Sequence, residues 1–245
     1  VRNKYLFRGY IHLKILPGAT REQVKQAGEL ADRLSVNLEV PNSSRLKEVS
    51  DVKEYRTDIL RRQRWMKFTE SRSGQTTQLV VGGSDEPDIE ILKMSDWEYR
   101  NMDLRKVYYS GFVPLNGTPL ERKEKTPAER EVSLYRADFL MRSYKYDISL
   151  LKAIMDEGML PRGDPKIHVA RECIDSPLDV NDCSYDDLLM VPGIGHLSAM
   201  RIRNMQSSNE RIQNRRQLKN IGIVLKRAEP FLKIGGHVQK TLEVF

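Results

Sequence analysis

Three observations predict an α/β fold with an all-α C-terminal module. Short β-type runs alternate with helical stretches from Tyr10 to Val113. Past that point the patterned runs are helical only. Within this tail, Leu188–Ile202 reads LLMVPGIGHLSAMRI, two apolar runs of helical spacing interrupted by Pro192 and by Gly193 and Gly195. At 245 residues the chain suffices for one large or two small domains.

The elements follow in order. Tyr10–Leu16 reads as a strand closed by the Pro17-Gly18 turn. Ala19–Leu34 is helical, with Ala27, Leu30, Ala31 and Leu34 at three- and four-residue steps and Thr20 and Gln23 at capping-box spacing. Ser35–Val40 is a second strand, ended by Pro41-Asn42. Arg45–Phe68 has a helical apolar stripe, and Thr76–Val81 is a third strand running into Gly82-Gly83. A helix near Pro87–Met94 is expected, with Asp85 as its cap, and Val107–Val113 is the fourth strand. Pro127–Tyr146 is strongly helical, Ile148–Ile154 continues apolar, and Ile167–Cys173 is a short helix or linker, with a domain boundary near Asp175–Pro177.

Strand–helix alternation at this spacing predicts βαβ units and a parallel sheet. Parallel sheets are ordinarily buried on both faces, yet these strands alternate apolar with polar. The apolar rows are expected to face outer helices and the polar rows to line a lumen, as in an open or closed (β/α) barrel. Lys14, Asn37, Glu39, Gln78 and Ser110 are the polar side chains that converge there on this reading. An antiparallel sheet with one solvated face accounts for the same alternation. Four strands do not close an eight-stranded barrel and leave a raw edge on the first. That edge, with Val1 in place of Met, predicts a fragment of a longer protein.

Composition narrows the function classes. No apolar run has transmembrane length and no signal peptide is present, so a cytoplasmic protein is expected. The two cysteines, Cys173 and Cys183, fit neither a disulfide scaffold nor a common metal spacing. The net charge is +7, and its location is informative. Between Arg201 and Lys233 nine basic residues stand against Glu210 and Glu229, a surplus equal to that of the whole chain. Such a concentration predicts a phosphate-rich partner. Lys53–Arg72 is also basic, around Trp65 and Phe68, and reads as the solvated face of an outer helix rather than a single-strand grip. The histidines His12, His168, His196 and His237 show no metal-ligand spacing.

The basic surplus coincides with the glycine hairpin. The backbone N–H groups that open a helix have no intrahelical acceptor and lie at the positive end of its dipole. They can hold a phosphate oxygen without a cationic side chain, provided no Cβ keeps the DNA backbone away. The stretch matches a helix-hairpin-helix pattern. Leu178–Ser184 ahead of it resembles the N-x-A-S-x-x-E-L lead-in of such modules. A weaker copy follows at Gly222–Ala228, where Val224 replaces the second glycine, so this copy is expected to pack against the first. Gly193, Ile194, Gly195, His196, Arg201, Lys226 and Arg227 are the candidate DNA-backbone contacts.

Taken in order, YIHLK, PGA, ADRLSVNLEVP, GQTTQLVVGG, LRKVYYSGFVP, LYRADFL, DPK, DVN and LLMVPGIG resemble a group of radical SAM proteins of DNA modification or repair. The likeness runs from about Gly9 to the last helices. It implies that residues 1–120 are the C-terminal half of a radical SAM (β/α) barrel, 121–176 connecting helices, and 177–245 a helix-hairpin-helix DNA-binding module. It also implies S-adenosylmethionine and a [4Fe–4S] cluster as cofactors of the full-length protein. The cluster would be held by a CxxxCxxC loop that this chain lacks, so the chain alone is expected to be inactive. The missing N-terminal half of the barrel is then a partner, alongside double-stranded DNA. By strand order, Lys14, Asn37, Glu39, Gln78, Gly82 and Gly83 would form the cofactor-site wall, with Gly82-Gly83 permitting close approach of adenine. Two rival readings are a non-catalytic DNA-binding protein with a degenerate barrel and a protein-interaction module.

Overall fold

The computed structural model describes residues 1–50, 52–234 and 237–238; the His237 side chain and everything beyond Val238 lie outside the described residues. The chain is mixed α/β and divides into two compact units. The first comprises residues 1–138 and 157–160, the second 139–156 and 161–245. Residues expected to form one connector, 121–176, are therefore shared between the two. No helix among the described residues is long and apolar enough to cross a membrane.

The first unit runs α1 (Arg2–Tyr5), β1 (His12–Lys14), α2 (Arg21–Leu30), β2 (Arg33–Ser35), α3 (Ser43–Val49), a π-helical turn (Tyr55–Leu60), α4 (Arg61–Lys67), β3 (Gln75–Val81), α5 (Asp88–Asn101), β4 (Leu104–Gly111) and α6 (Ala128–Tyr144), whose last turns enter the second unit. The four strands form one sheet in sequential order, and all three pairings are parallel. The antiparallel alternative is thereby removed. Thr20 and Gln23 form the expected capping box on α2. The long helix expected over Arg45–Phe68 is interrupted: Asn42 caps α3, Ser50 leaves it in extended conformation, and helical structure resumes only at Tyr55. Asp85 does not cap α5, whose N-cap is Pro87; it is exposed and pairs with Lys123 at 2.7 Å.

One face of the sheet is dry. Leu34, Leu79, Val81, Val107 and Tyr109 are all buried, beneath α2, α4 and α5. The opposite row is wetter at its margins, with His12, Lys14 and Tyr108 exposed and Gln78 and Ser110 half-buried, while Ser35 and Thr76 between them are buried. Sequential order in a parallel sheet explains this asymmetry, because crossovers of the usual hand then place every helix on the same side.

β2 is shorter than the alternation of Ser35–Val40 predicts. The Thr77 hydroxyl intervenes, donating to Val36 O at 2.7 Å and accepting from Leu38 N at 3.0 Å. These bonds replace ladder bonds to β3. Pairing resumes at Glu39, which sits at φ 67° and bridges to Leu79. Asn37 and Glu39 thus lie on an irregular segment, where alternation no longer dictates facing.

The second unit contains α7 (Ile148–Ala153), α8 (Pro165–Cys173), β5 (Leu178–Asp179), α9 (Tyr185–Met190), α10 (His196–Ser207), α11 (Arg215–Ile221), α12 (Leu225–Ala228), β6 (Leu232–Ile234) and β7 (His237–Val238). It is not purely helical: β5, β6 and β7 form a small sheet, in which the chain after α12 returns beside the lead-in to α9. Its core is Leu188, Val191, Ile194, Ala199, Ile202, Leu218, Ile221 and Ala228, all under a tenth exposed.

Candidate functional site

Two helix–turn–helix pairs form the heart of the second unit. Ser184 caps α9 in a capping box with Asp187, and Asn214 caps α11 in the same way with Gln217. The lead-in has a physical role. The Asn181 side-chain carbonyl accepts from Ile212 N at 2.7 Å, and its amide donates to Ile212 O at 3.1 Å, tying the segment before α9 to the segment before α11. Gly222 closes α11 at φ 95°, a left-handed conformation suited to glycine.

The two turns meet through their backbones. Val224 N donates to Gly193 O at 3.0 Å. Gly193 has φ 88°, and a Cβ there would lie 2.6 Å from Val224 O. Its lack of a side chain therefore serves the packing of one turn on the other, in agreement with the expected role of the weaker copy. Ile194 is buried.

Gly195 is different. It is the N-cap of α10, its φ of −113° is open to any residue, and no side chain caps the helix. The nearest atom to a Cβ there would be Tyr144 Oη at 3.5 Å, an ordinary contact. Among the described residues, the amides of His196, Leu197 and Ser198 meet no acceptor. Three donors thus stand free at the start of a 12-residue helix.

The side chains around this turn are less available than the sequence suggests. The His196 ring stacks on Tyr144 with centroids 4.8 Å apart. His196 Nε2 lies 2.8 Å from Ser143 O and Nδ1 2.8 Å from Tyr185 Oη. A carbonyl only accepts, so Nε2 donates to Ser143 O, and Nδ1 is engaged by the Tyr185 hydroxyl. Both ring nitrogens are occupied, and in this arrangement neither reaches a phosphate. Arg201 donates to Ile221 O at 2.9 Å and so caps the end of α11, and Arg227 pairs with Asp164. Lys226 is exposed.

Lys166, on the first turn of α8, was not singled out from the sequence. It is 6 % exposed, donates to Ile194 O at 2.8 Å and lies 4.2 Å from the centre of the Tyr144 ring. Burial pushes its amine down to about 7, opposed by the carboxylate of Asp164 and assisted by Arg227. It holds the hairpin carbonyl from behind. The available signal was a lysine among Pro165, Ile167, Val169 and Ala170.

In the first unit the backbone brings Glu39 beside Gln78, whose carbonyl accepts from Glu39 N at 3.0 Å. Lys14 is exposed on β1, while Glu39 reaches Lys53 at 3.5 Å. Asn37 is half-buried on the irregular segment after β2, and Gln78 is half-buried on β3. Gly82 sits at φ 83°, and a Cβ there would be 2.3 Å from Thr126 Oγ1, which itself donates to Val81 O. The space beside Gly82 is filled by the protein's own threonine. Gly83 is buried, and its nearest side chains are Phe112 and Val80. The loop after β3 closes on Glu86, which accepts from the amides of Gly82 and Ser84 and the Ser84 hydroxyl. Arg130 braces the loop from α6, bonding Asp88 at 2.8 Å and lying 3.9 Å from Glu86. Two surface clefts of about 590 and 620 Å³ lie elsewhere, around α2, α4 and the N-terminal segment.

Cys173 is exposed on α8 and Cys183 buried before α9. Among the described residues, no group of three or more His, Cys, Asp or Glu is placed to hold a metal. No family model matches this chain, and neither a curated protein nor a solved structure matches it at a significant level.

Proposed function

We propose that this chain binds the sugar–phosphate backbone of DNA at the start of α10, as part of a radical SAM protein of DNA modification or repair. One observation carries the binding reading: the free amides of His196, Leu197 and Ser198 follow a glycine with no side-chain cap, on the unit that holds the chain's basic surplus. Amide donors at a helix N-terminus suit a phosphate oxygen in direction and in charge. The side chains first considered for the contact act one step behind it. His196, Arg201 and Arg227 are held by the protein itself, and Lys166 fixes the hairpin. Such a site grips phosphates and does not read bases.

The radical SAM part of the proposal rests on the order of sequence blocks and on a sequential parallel sheet with one wetter face, which suits part of a (β/α) barrel. The residues present do not fit a [4Fe–4S] cluster, since Cys173 and Cys183 have neither the number nor the spacing. For S-adenosylmethionine the fit is partial. Lys14, Gln78 and Ser110 share the open row, whereas Thr126 takes the space that adenine would need beside Gly82.

The test is equilibrium binding of the full chain to a labelled duplex from about 50 to 200 mM salt. Contact with two to four phosphates predicts a log–log slope of roughly −2 to −4. Binding that ignores salt would favour a protein-interaction module instead.

A further inference from the structure

Leu197, Met200 and Val224 are 65, 49 and 53 % exposed. Leu197 and Met200 stand three residues apart on α10, opposite the buried side chains of Ala199 and Ile202. Val224 belongs to the second turn, whose backbone is bonded to Gly193. The three side chains therefore border the turn that presents the free amides. In the same unit Arg216, Lys219 and Lys226 are exposed, and the segment from Arg201 to Lys233 has nine basic residues against two acidic.

Phosphate contact alone does not call for three exposed apolar side chains beside one turn. The charge around the patch calls for an anionic occupant, which favours nucleic acid over an apolar protein face. On DNA, an apolar side chain can touch thymine methyls and sugar carbons in an intact duplex, but the largest apolar surface it can cover is the flat face of a base. That face is hidden in a stacked duplex and opens where stacking is interrupted. We propose that Leu197, Met200 and Val224 pack against unstacked bases, so that the second unit prefers gapped or bulged DNA to intact duplex. This inference rests on the phosphate-binding reading above.

The experiment compares the full chain on a labelled intact duplex and on the same duplex with a short central gap, by fluorescence anisotropy across a salt series. The expected result is roughly tenfold tighter binding of the gapped DNA. L197A/M200A should narrow that preference to under about twofold. Alanine is favourable in a helix, so a circular-dichroism melt should show the fold retained. V224A, a second variant outside α10, should narrow the preference in the same direction. Equal affinity of the wild type for both DNAs, with a normal salt slope, would overturn this inference and leave the phosphate reading standing. Absence of salt-dependent DNA binding would overturn the phosphate reading beneath it. A double variant that keeps the gap preference but loses self-association in sedimentation would assign the patch to a second copy of the chain, and the inference would be wrong.

Discussion

Gly82 in the sheet unit and Gly195 in the hairpin unit were both expected to leave room for a ligand. At Gly82 that room is taken by Thr126, and the loop around it closes on buried Glu86 and Asp88 under Arg130. At Gly195 only the Tyr144 hydroxyl is near, and the three amides that follow meet no acceptor among the described residues. The contrast teaches that a glycine points to a ligand only when the protein does not itself use the missing side chain. Gly193, two residues earlier, makes the same point, because its space is filled by the backbone of Val224.

The comparison can be broken most sharply at Arg130. If the loop after β3 is a structural clasp, R130M leaves the carboxylate of Asp88, 2 % exposed, without its cation, while Glu86 keeps its Gly82 and Ser84 donors. The expected loss is about 3–5 kcal/mol, as for other half-removed buried ion pairs. Both tryptophans, Trp65 and Trp97, lie in the sheet unit, so a urea melt followed by their fluorescence reads that unit. A loss below about 1 kcal/mol would show the clasp to be dispensable, with the loop free to serve a ligand.

The units should also respond to pH in opposite directions. Glu98 on α5 is fully buried beside Gln63, and burial pushes its carboxyl up to about 8, with Gln63 pulling weakly the other way. The folded state then holds a proton that the unfolded state releases, so stability of the sheet unit falls as pH rises from about 4.5 to about 8. E98Q should flatten this decline, which is on the order of a few kcal/mol. In the hairpin unit, Lys166 is held down to about 7, so its folded state binds fewer protons than the unfolded chain, and stability rises with pH from about 7 to 10.5. K166M should remove that rise, as read by hydrogen exchange in α8 and α10.

A smaller effect sharpens the contrast between the two hairpin glycines. G193A forces a Cβ within 2.6 Å of a carbonyl oxygen at positive φ and should cost about 2–3 kcal/mol in a denaturant melt. The same change at Gly195 replaces one N-cap residue by a poorer one without a clash and should cost no more than about 1 kcal/mol.

Much of the architecture was legible because it rests on local rules. The Thr20–Gln23 capping box, the parallel order of the strands and the turn at Pro192–Gly195 all follow from spacing and turn chemistry. The parts not legible depend on distant partners. The Thr77 hydroxyl reroutes the hydrogen bonds of Val36 and Leu38, so Asn37 and Glu39 leave the regular strand on which their assignment relied. His196 is occupied by Ser143 and Tyr185, and Arg201 by Ile221, contacts that no local pattern announces. Lys166 was hidden for the same reason, since its acceptor is 28 residues away. The small β5–β6–β7 sheet escaped because its strands are only two or three residues long.

The central claim is that free amides at the start of α10 bind phosphate, and G195D tests it most directly. The backbone at Gly195 admits an aspartate, whose carboxylate would cap those amides and repel a phosphate. Aspartate is a better N-cap than glycine by a few tenths of a kcal/mol, so the melting temperature should hold or rise slightly. The account predicts that DNA affinity nevertheless falls by at least about tenfold and that the salt slope becomes shallower by about one phosphate. Unchanged DNA binding in a folded G195D chain would contradict it.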